Sequence, residues 1–314
     1  MTNILITGVL GQDGRLLTRY LDSFGVNIYG TSRNKINKLD SMYSYLIKKV
    51  EILTCDLENK SEVFLLLEYV KPDLIFHFSG QSSVGFSFTD PLVTHQSIIV
   101  STINLLEGIR LKAPKARFFN ASSSEVFGNS TKLFNENSPH NPISPYAVAK
   151  STACKIVENY RSIYGLSLVN GYLFNHESQF RNQNFVTHKI IHTAMQISKG
   201  KQNLIELGNI NIKRDWGWAE EYSEGIFKAI NQNCDVIIAS GLSQSLKEFA
   251  NTVFNFFSLS FNDYYVYNPT YLRKEEIIYS SADISNMKLK LNWQPKIKGS
   301  KVALKLCETI MKLQ

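Results

Sequence analysis

Short runs of β-branched and apolar residues recur at Asn3 to Thr7, Val26 to Gly30, Val50 to Thr54, Asp73 to Phe78, Arg117 to Ala121 and Ser167 to Leu173. Segments of helical length, apolar on one face and polar on the other, lie between most of them. This alternation predicts an α/β fold, a doubly wound parallel sheet of Rossmann type covered by helices on both faces. Beyond about Asn175 the pattern loosens into short helices and polar loops, and the apolar run Asp235 to Ala239 is expected to return to the sheet. The reading divides the chain into a larger domain over 1–174 and a smaller C-terminal α+β lobe over 175–314. Tyr264 to Tyr271 and Asn292 to Pro295 read as parts of that lobe that cover a cleft between the two.

One helix start is marked by its chemistry: Ser144 can cap it and Pro145 suits the first helical position, which puts Tyr146 and Lys150 on its first turns. Four residues apart, they share a face, so an ammonium there could lower the phenol's pKa and let it take a hydroxyl proton while hydride leaves the carbon. Ser123, at the end of an expected strand, could hold the same oxygen by a hydrogen bond. Alcohol oxidation needs nothing more, and Glu125 beside this set therefore points to a further step, such as proton abstraction next to a new carbonyl. A carboxylate after a strand could also serve only as a cap or an ion-pair partner.

Gly8, Gly11 and Gly14 follow the first strand and lead into a helical segment, the setting in which a glycine loop with Gln12 and Asp13 receives the pyrophosphate of a dinucleotide. After the second strand the chain offers Arg33 where an NAD site usually offers an acid, which favours NADP, with NAD as the alternative. Asp56 and Leu57, past the third strand, are placed to meet the adenine edge, although Asp56 could equally cap a helix.

Composition narrows the classes. The 314 residues are 44% hydrophobic, enough for one large core plus a smaller lobe. No apolar run is long enough to span a bilayer, and the start lacks the zones of a secretory signal, so the expectation is a soluble cytoplasmic protein without a membrane partner. Cys55, Cys154, Cys234 and Cys307 are scattered without metal or redox spacing and read as reduced core thiols, with no metal expected. The formal net charge of +7 could serve nucleic acid, but the basic residues read as dispersed, Lys35, Lys38, Lys48 and Lys49 being the nearest to a cluster. No nucleic-acid partner is expected.

Together the glycine loop, Ser123 and the Tyr-x-x-x-Lys pair resemble the extended short-chain dehydrogenase/reductases. Several stretches resemble the GDP-mannose 4,6-dehydratase family within them: Gly8-Val9-Leu10-Gly11-Gln12-Asp13-Gly14, Gln81-Ser82-Ser83-Val84, Ser144 to Lys150, Leu173-Phe174-Asn175-His176-Glu177-Ser178, Phe185-Val186-Thr187-His188-Lys189, Leu207-Gly208-Asn209 and Arg214-Asp215-Trp216-Gly217. The resemblance implies a nucleotide-sugar-binding C-terminal lobe and a three-part reaction on a GDP-hexose. Tyr146 acts as base while NADP oxidises C4, Glu125 takes the C5 proton and assists loss of the C6 hydroxyl as water, and the hydride returns to C6. It further implies that Asn175, Val186, Lys189, Asn209, Arg214 and Arg273 hold the nucleotide diphosphate, that Ser82 meets the sugar, and that the protein is a homo-oligomer, dimer or tetramer. Arg214 is read as free of Asp215, because adjacent residues of an extended segment point apart. His176 and His188 read as positioning or surface residues.

Some positions depart from that family. Ser123 stands for a more usual Thr, Gln179 to Asn184 replaces a more basic stretch, Ser83 replaces a His, and the loop after Arg33, which in the family reaches a neighbouring subunit, is shorter. These departures leave a different hexose or a heptose open. Other reactions on the same scaffold, a 4-epimerase, a decarboxylase or a 4-keto reductase, and a non-catalytic NADP-binding sensor are the competing readings.

Overall fold

A computed structural model describes residues 1–34 and 44–313. Lys35, Lys38 and the loop after Arg33 therefore lie outside the described residues. Its main sheet is built from β1 (Asn3–Thr7), β2 (Asn27–Ser32), β3 (Glu51–Thr54), β4 (Leu74–His77), β5 (Arg117–Ser123) and β6 (Leu168–Leu173). Beyond β6 the chain adds β7 (Asn175–Glu177), β8 (Ile205–Leu207), β9 (Lys213–Trp218), β10 (Val236–Ile238), β11 (Ser243–Ser245) and β12 (Tyr265–Tyr267). The seven strands of the main sheet run in the order β10-β6-β5-β4-β1-β2-β3, and every pairing is parallel. β1 and β4, both in the middle of the sheet, are buried along nearly their whole length, as expected where helices cover both faces. The order reverses between the neighbouring strands β1 and β4, and a doubly wound sheet opens a ligand crevice at such a point.

Two apolar clusters flank the sheet. Ile4, Ile6, Phe76, Phe119 and Val169 belong to one, together with Tyr222 and Ile226 of the Ala219–Gln232 helix. Leu5, Ile75 and Phe118 point to the other side, against Leu66, Leu105 and Val157. A third cluster is separate: Ile190, Ile205, Trp216, Phe249 and Leu306 pack the later helices and small strands together. Smaller sheets order this region, β11-β9-β7 and β12-β8. The cleft lies between the third cluster and the carboxyl ends of the main strands. β10 rejoins the main sheet at β6, as the apolar run near 235 predicts.

Asn292 to Pro295 belongs elsewhere than the expected cover. Trp293 packs edge-on to Tyr222 at 6.4 Å between ring centres, against the helix that backs the sheet, and none of these four residues lines the cleft. Tyr271 does line it. Among the described residues, no helix is long and apolar enough to cross a membrane. All four cysteines are free, and three are buried.

Candidate active site

The cleft holds about 1370 Å³ and runs from the glycine loop past β5 to the later lobe. Gly8 adopts φ +70°, a conformation that L side chains avoid, and Gly11 N–H donates to its carbonyl at 2.9 Å. The Gln12–Leu21 helix then begins without a side-chain cap, which leaves first-turn N–H groups for an anion. Gly14 contributes differently. A Cβ there would lie 2.6 Å from Gly8 O and from Val9 Cα, so the third glycine lets helix and loop touch and does not itself line the cleft. These features fit a dinucleotide pyrophosphate.

Gln12 and Asp13 reach across to the strand that follows β6. Gln12 Nε2 donates to His176 O at 3.1 Å, and Ser178 Oγ donates to Gln12 Oε1 at 2.8 Å. Asp13 Oδ1 lies 2.9 Å from His176 Nε2. Burial opposes charge on both members, but their mutual attraction prevails, holding the Asp13 carboxyl below its usual range and raising the imidazole above its own. His176 also stacks on Tyr222 at 4.9 Å. His188 is buried and bonds Ser178 O at 2.9 Å, so neither histidine is a surface residue. Both position β7 and the turn after it.

Past β2 and β3, Arg33 and Asp56 line the cleft near Leu57. The Arg33 side chain is 62% exposed and pairs with Glu58 at 3.2 Å, a weak surface pair that a phosphate could displace. Asp56 Oδ1 accepts from Glu58 N–H at 3.1 Å, so in this state the carboxylate shapes its own turn and caps no helix.

The candidate catalytic residues sit where β5 ends. Ser123 Oγ accepts from Glu125 N–H at 3.3 Å and so caps the short turn Ser124–Phe127. Ser144 Oγ accepts from Ala147 N–H at 3.1 Å and Pro145 opens the helix Pro145–Tyr164, as the sequence predicts. Lys150 Nζ donates to Ala121 O at 2.7 Å and lies 6.0 Å from the centre of the Tyr146 ring. Burial lowers the ammonium to about 8. The phenol corrects the expectation: burial pushes Tyr146 up to about 12, and although the Ser123 hydrogen bond pulls it down, the net direction is upward. The ammonium is turned to a main-chain carbonyl and does not offset the lost hydration. Glu125 is partly buried, and desolvation raises its carboxyl above the usual range against the opposing pull of Arg214 and Arg273.

Arg214 and Arg273 face Glu125 across the cleft. Arg214 is 4% exposed, and its guanidinium donates to Glu276 at 2.7 Å, while Arg273 donates to the same carboxylate oxygen at 3.2 Å. Asp215 turns away, accepting from Ser240 N–H and Gly241 N–H at 2.9 and 2.7 Å, so Arg214 is indeed free of it. Lys189 Nζ donates to Glu206 O at 2.8 Å and stands 3.5 Å over the Tyr271 ring. Asn175, Val186, Asn209 and Ser82 also line this cavity, and Asn209 Oδ1 accepts from Asn211 N–H at 2.9 Å. Among the cleft residues, Glu276 is singled out by nothing in the sequence, while Tyr271 and Arg181 are named there only as members of longer stretches. Arg181 pairs with Glu177 at 3.4 Å and stacks on Phe185 at 3.8 Å. The arginine of 179–184 was visible as a cation, but its partners are set by the turn.

Comparison with known proteins points in one direction. A family profile described as GDP-mannose 4,6 dehydratase matches residues 5–305. The chain is 33% identical over 323 residues to GDP-mannose 4,6 dehydratase 1 of Arabidopsis thaliana, covering 98% of this chain and 90% of that one. It is 37% identical over 257 residues to GDP-mannose 4,6-dehydratase of Vibrio cholerae, covering 78% of this chain and 69% of the relative. Among solved structures, dTDP-glucose 4,6-dehydratase from Bacillus anthracis in complex with NAD superposes with a TM-score of 0.85 at 18% identity, covering 99% of this chain and 97% of that one. UDP-glucose 4-epimerase from Thermotoga maritima with UDP-glucose superposes at 0.86 and 21% identity, with 99% of each chain covered. At such identities the two structures share the fold with this chain.

Proposed function

The chain belongs to the GDP-mannose 4,6-dehydratase family, and from that premise we propose that it converts a GDP-hexose, GDP-mannose first among candidates, into a GDP-4-keto-6-deoxy sugar with NADP. As a nucleotide-sugar 4,6-dehydratase it is a lyase. The observation that carries the finer reading is the convergence of Ser123, Glu125, Tyr146 and Lys150 on one wall of the cleft, with Arg214 and Arg273 opposite. NADP, when bound, would supply the acceptor and later the donor of a hydride, and in its oxidised form a positive charge. NAD remains the alternative, and Arg33 with its exposed pair favours NADP.

In this reading Ser123 holds the C4 oxygen and Tyr146, acting as the phenolate, receives its proton as the C4–H bond is broken. Lys150, held on Ala121 O, fixes the helix face and contributes its positive charge. The resulting C4 ketone acidifies C5–H. Glu125 takes that proton, the C5–C6 double bond forms as the C6–O bond breaks, and Glu125 returns the proton to the departing hydroxide as water; the hydride's return to C6 with a solvent-derived proton at C5 would complete the product. Burial has strengthened Glu125 as a base, which suits a proton bound to carbon. Arg214, Arg273 and Lys189 would hold the diphosphate, for which planar guanidinium forks are well matched, while Ser82 meets the sugar, and Asn175, Val186 and Asn209 the nucleotide.

The test is to incubate the protein with GDP-mannose in deuterated water and look for a 4-keto-6-deoxy product that carries solvent deuterium at C5. Glu125→Gln should still reduce its bound cofactor, seen as absorbance of the reduced ring, but release no dehydrated product. Normal product from that variant removes Glu125 from the mechanism.

A further inference from the structure

The dispersed charge expected from the sequence does not hold at the C-terminal end. Residues 285–314 carry seven lysines, Lys288, Lys290, Lys296, Lys298, Lys301, Lys305 and Lys312, against one acid, Glu308. That is a local net charge of +6 (seven minus one) beside +7 for the whole chain. Among the described residues the lysine ion pairs are those of Lys49, Lys112, Lys155 and Lys228 and involve none of the seven, although other exposed lysines such as Lys71 and Lys115 form none either. The lysines stand on two helices, Ser285–Leu291 and Ser300–Met311, and on the segment between them.

These helices begin on either side of one turn. A Cβ on Gly241 would meet Ile284 Cδ1 at 2.8 Å, and one on Gly299 would meet Leu242 Cδ2 at 2.9 Å, so the residues before both helices pack on the pair Gly241 and Leu242. Val302, Leu306 and Ile310 turn the inner face of the Ser300–Met311 helix into the core. Its outer face presents Lys301, Leu304, half-buried Lys305, Glu308 and Met311, with Lys312 just past its end. Exposed apolar side chains thus accompany the lysines: Leu289 is 81% exposed between Lys288 and Lys290, Leu313 is 68% exposed, and Leu242 stands half-exposed at the turn.

We propose that this face docks reversibly on an anionic bilayer surface. Lysine ammonium groups would reach lipid phosphates along their flexible stems, and Leu289, Leu304 and Met311 would enter the headgroup boundary, the pattern by which amphipathic surfaces lie on a membrane without crossing it. The composition favours lipid over the other anionic partners. Protein interfaces are depleted in lysine. Single-stranded nucleic acid is gripped through exposed aromatic rings and arginines, and this region has no arginine, while its one aromatic residue, Trp293, packs on Tyr222. No residue beyond Glu276 lines the cleft, so docking would leave it open.

The test is co-sedimentation of the full chain with vesicles of phosphatidylcholine alone and of phosphatidylcholine with about a third phosphatidylglycerol, at low and high salt. The protein should pellet with the anionic vesicles only, and high salt should release it. Lys301→Glu/Lys305→Glu/Lys312→Glu should weaken binding on the order of 100-fold, with far-UV circular dichroism and turnover in solution unchanged. Leu289→Ser should weaken it less. The control Lys71→Glu/Lys115→Glu, exposed lysines outside this region, should still bind. Equal binding to neutral vesicles, no binding to either, retention by the triple variant, or release by single-stranded polynucleotide at equal charge would each overturn the proposal. None of these readouts depends on the sugar substrate.

Discussion

Glu276 holds two cations that face the candidate base, and replacing it with Gln separates its electrostatic effect from its shape. In the native cleft Arg214 and Arg273 share one of its oxygens, at 2.7 and 3.2 Å. The Arg214 side chain is 5% exposed and that of Glu276 20%, which puts the pair between a buried bridge, whose broken partner costs about 3–5 kcal/mol, and a surface one worth about 0–1. Glutamine keeps a carbonyl that can accept one hydrogen bond, so the expected loss is about 2 kcal/mol, read from urea unfolding. The second effect is directional. Glu276 adds to the proton affinity of Glu125, while Arg214 and Arg273 reduce it. With the negative charge gone and both cations unneutralised, Glu125 ionises more easily. A base must be deprotonated to act, so the acid limb of kcat/KM, which reports the free enzyme, should move to lower pH. An acid limb that stays in place or moves upward refutes the electrostatic link between Glu276 and the base, even if stability falls as expected.

Further outcomes follow from the same geometry. Tyr146→Phe should abolish reduction of the bound cofactor on adding the nucleotide sugar, and unchanged reduction would end the claim that the phenol takes the C4 proton. Arg33→Ala should weaken binding of NADP more than that of NAD in titrations of both, and an unaltered ratio would count against a phosphate at Arg33. His77 bonds Thr7 at 2.8 Å and Thr102 at 3.3 Å, and burial lowers it from 6.5 to about 3. The unfolded chain therefore binds this proton first, and the protein loses about 1.4 kcal/mol per pH unit as pH falls below 6.5 toward 3. Between pH 7 and pH 5 the native protein should lose about 2 kcal/mol more stability than His77→Gln in paired urea titrations, and equal losses would mean that the imidazole is not held neutral.

What could be read from the sequence follows the range over which each feature is specified. A strand buried on both faces is recorded in its own residues, so the runs at Asn3, Asp73 and Arg117 mark their strands within a few residues. A cap is likewise local, and Ser144 with Pro145 fixes the phase of the helix and hence the shared face of Tyr146 and Lys150. By contrast, Asp13 meets His176 across 163 positions and Arg214 meets Glu276 across 62, and no period or motif records such partners. The phenol shows the same limit. Spacing puts an ammonium near Tyr146, but where Lys150 Nζ points is set by Ala121 O, supplied by another element, while burial raises the phenol. The run of C-terminal lysines is legible as a count, whereas which of them stand exposed and outside ion pairs is a fact of the fold. The residues that give this cleft its geometry were therefore legible singly, while the pairings that set their protonation required the folded chain.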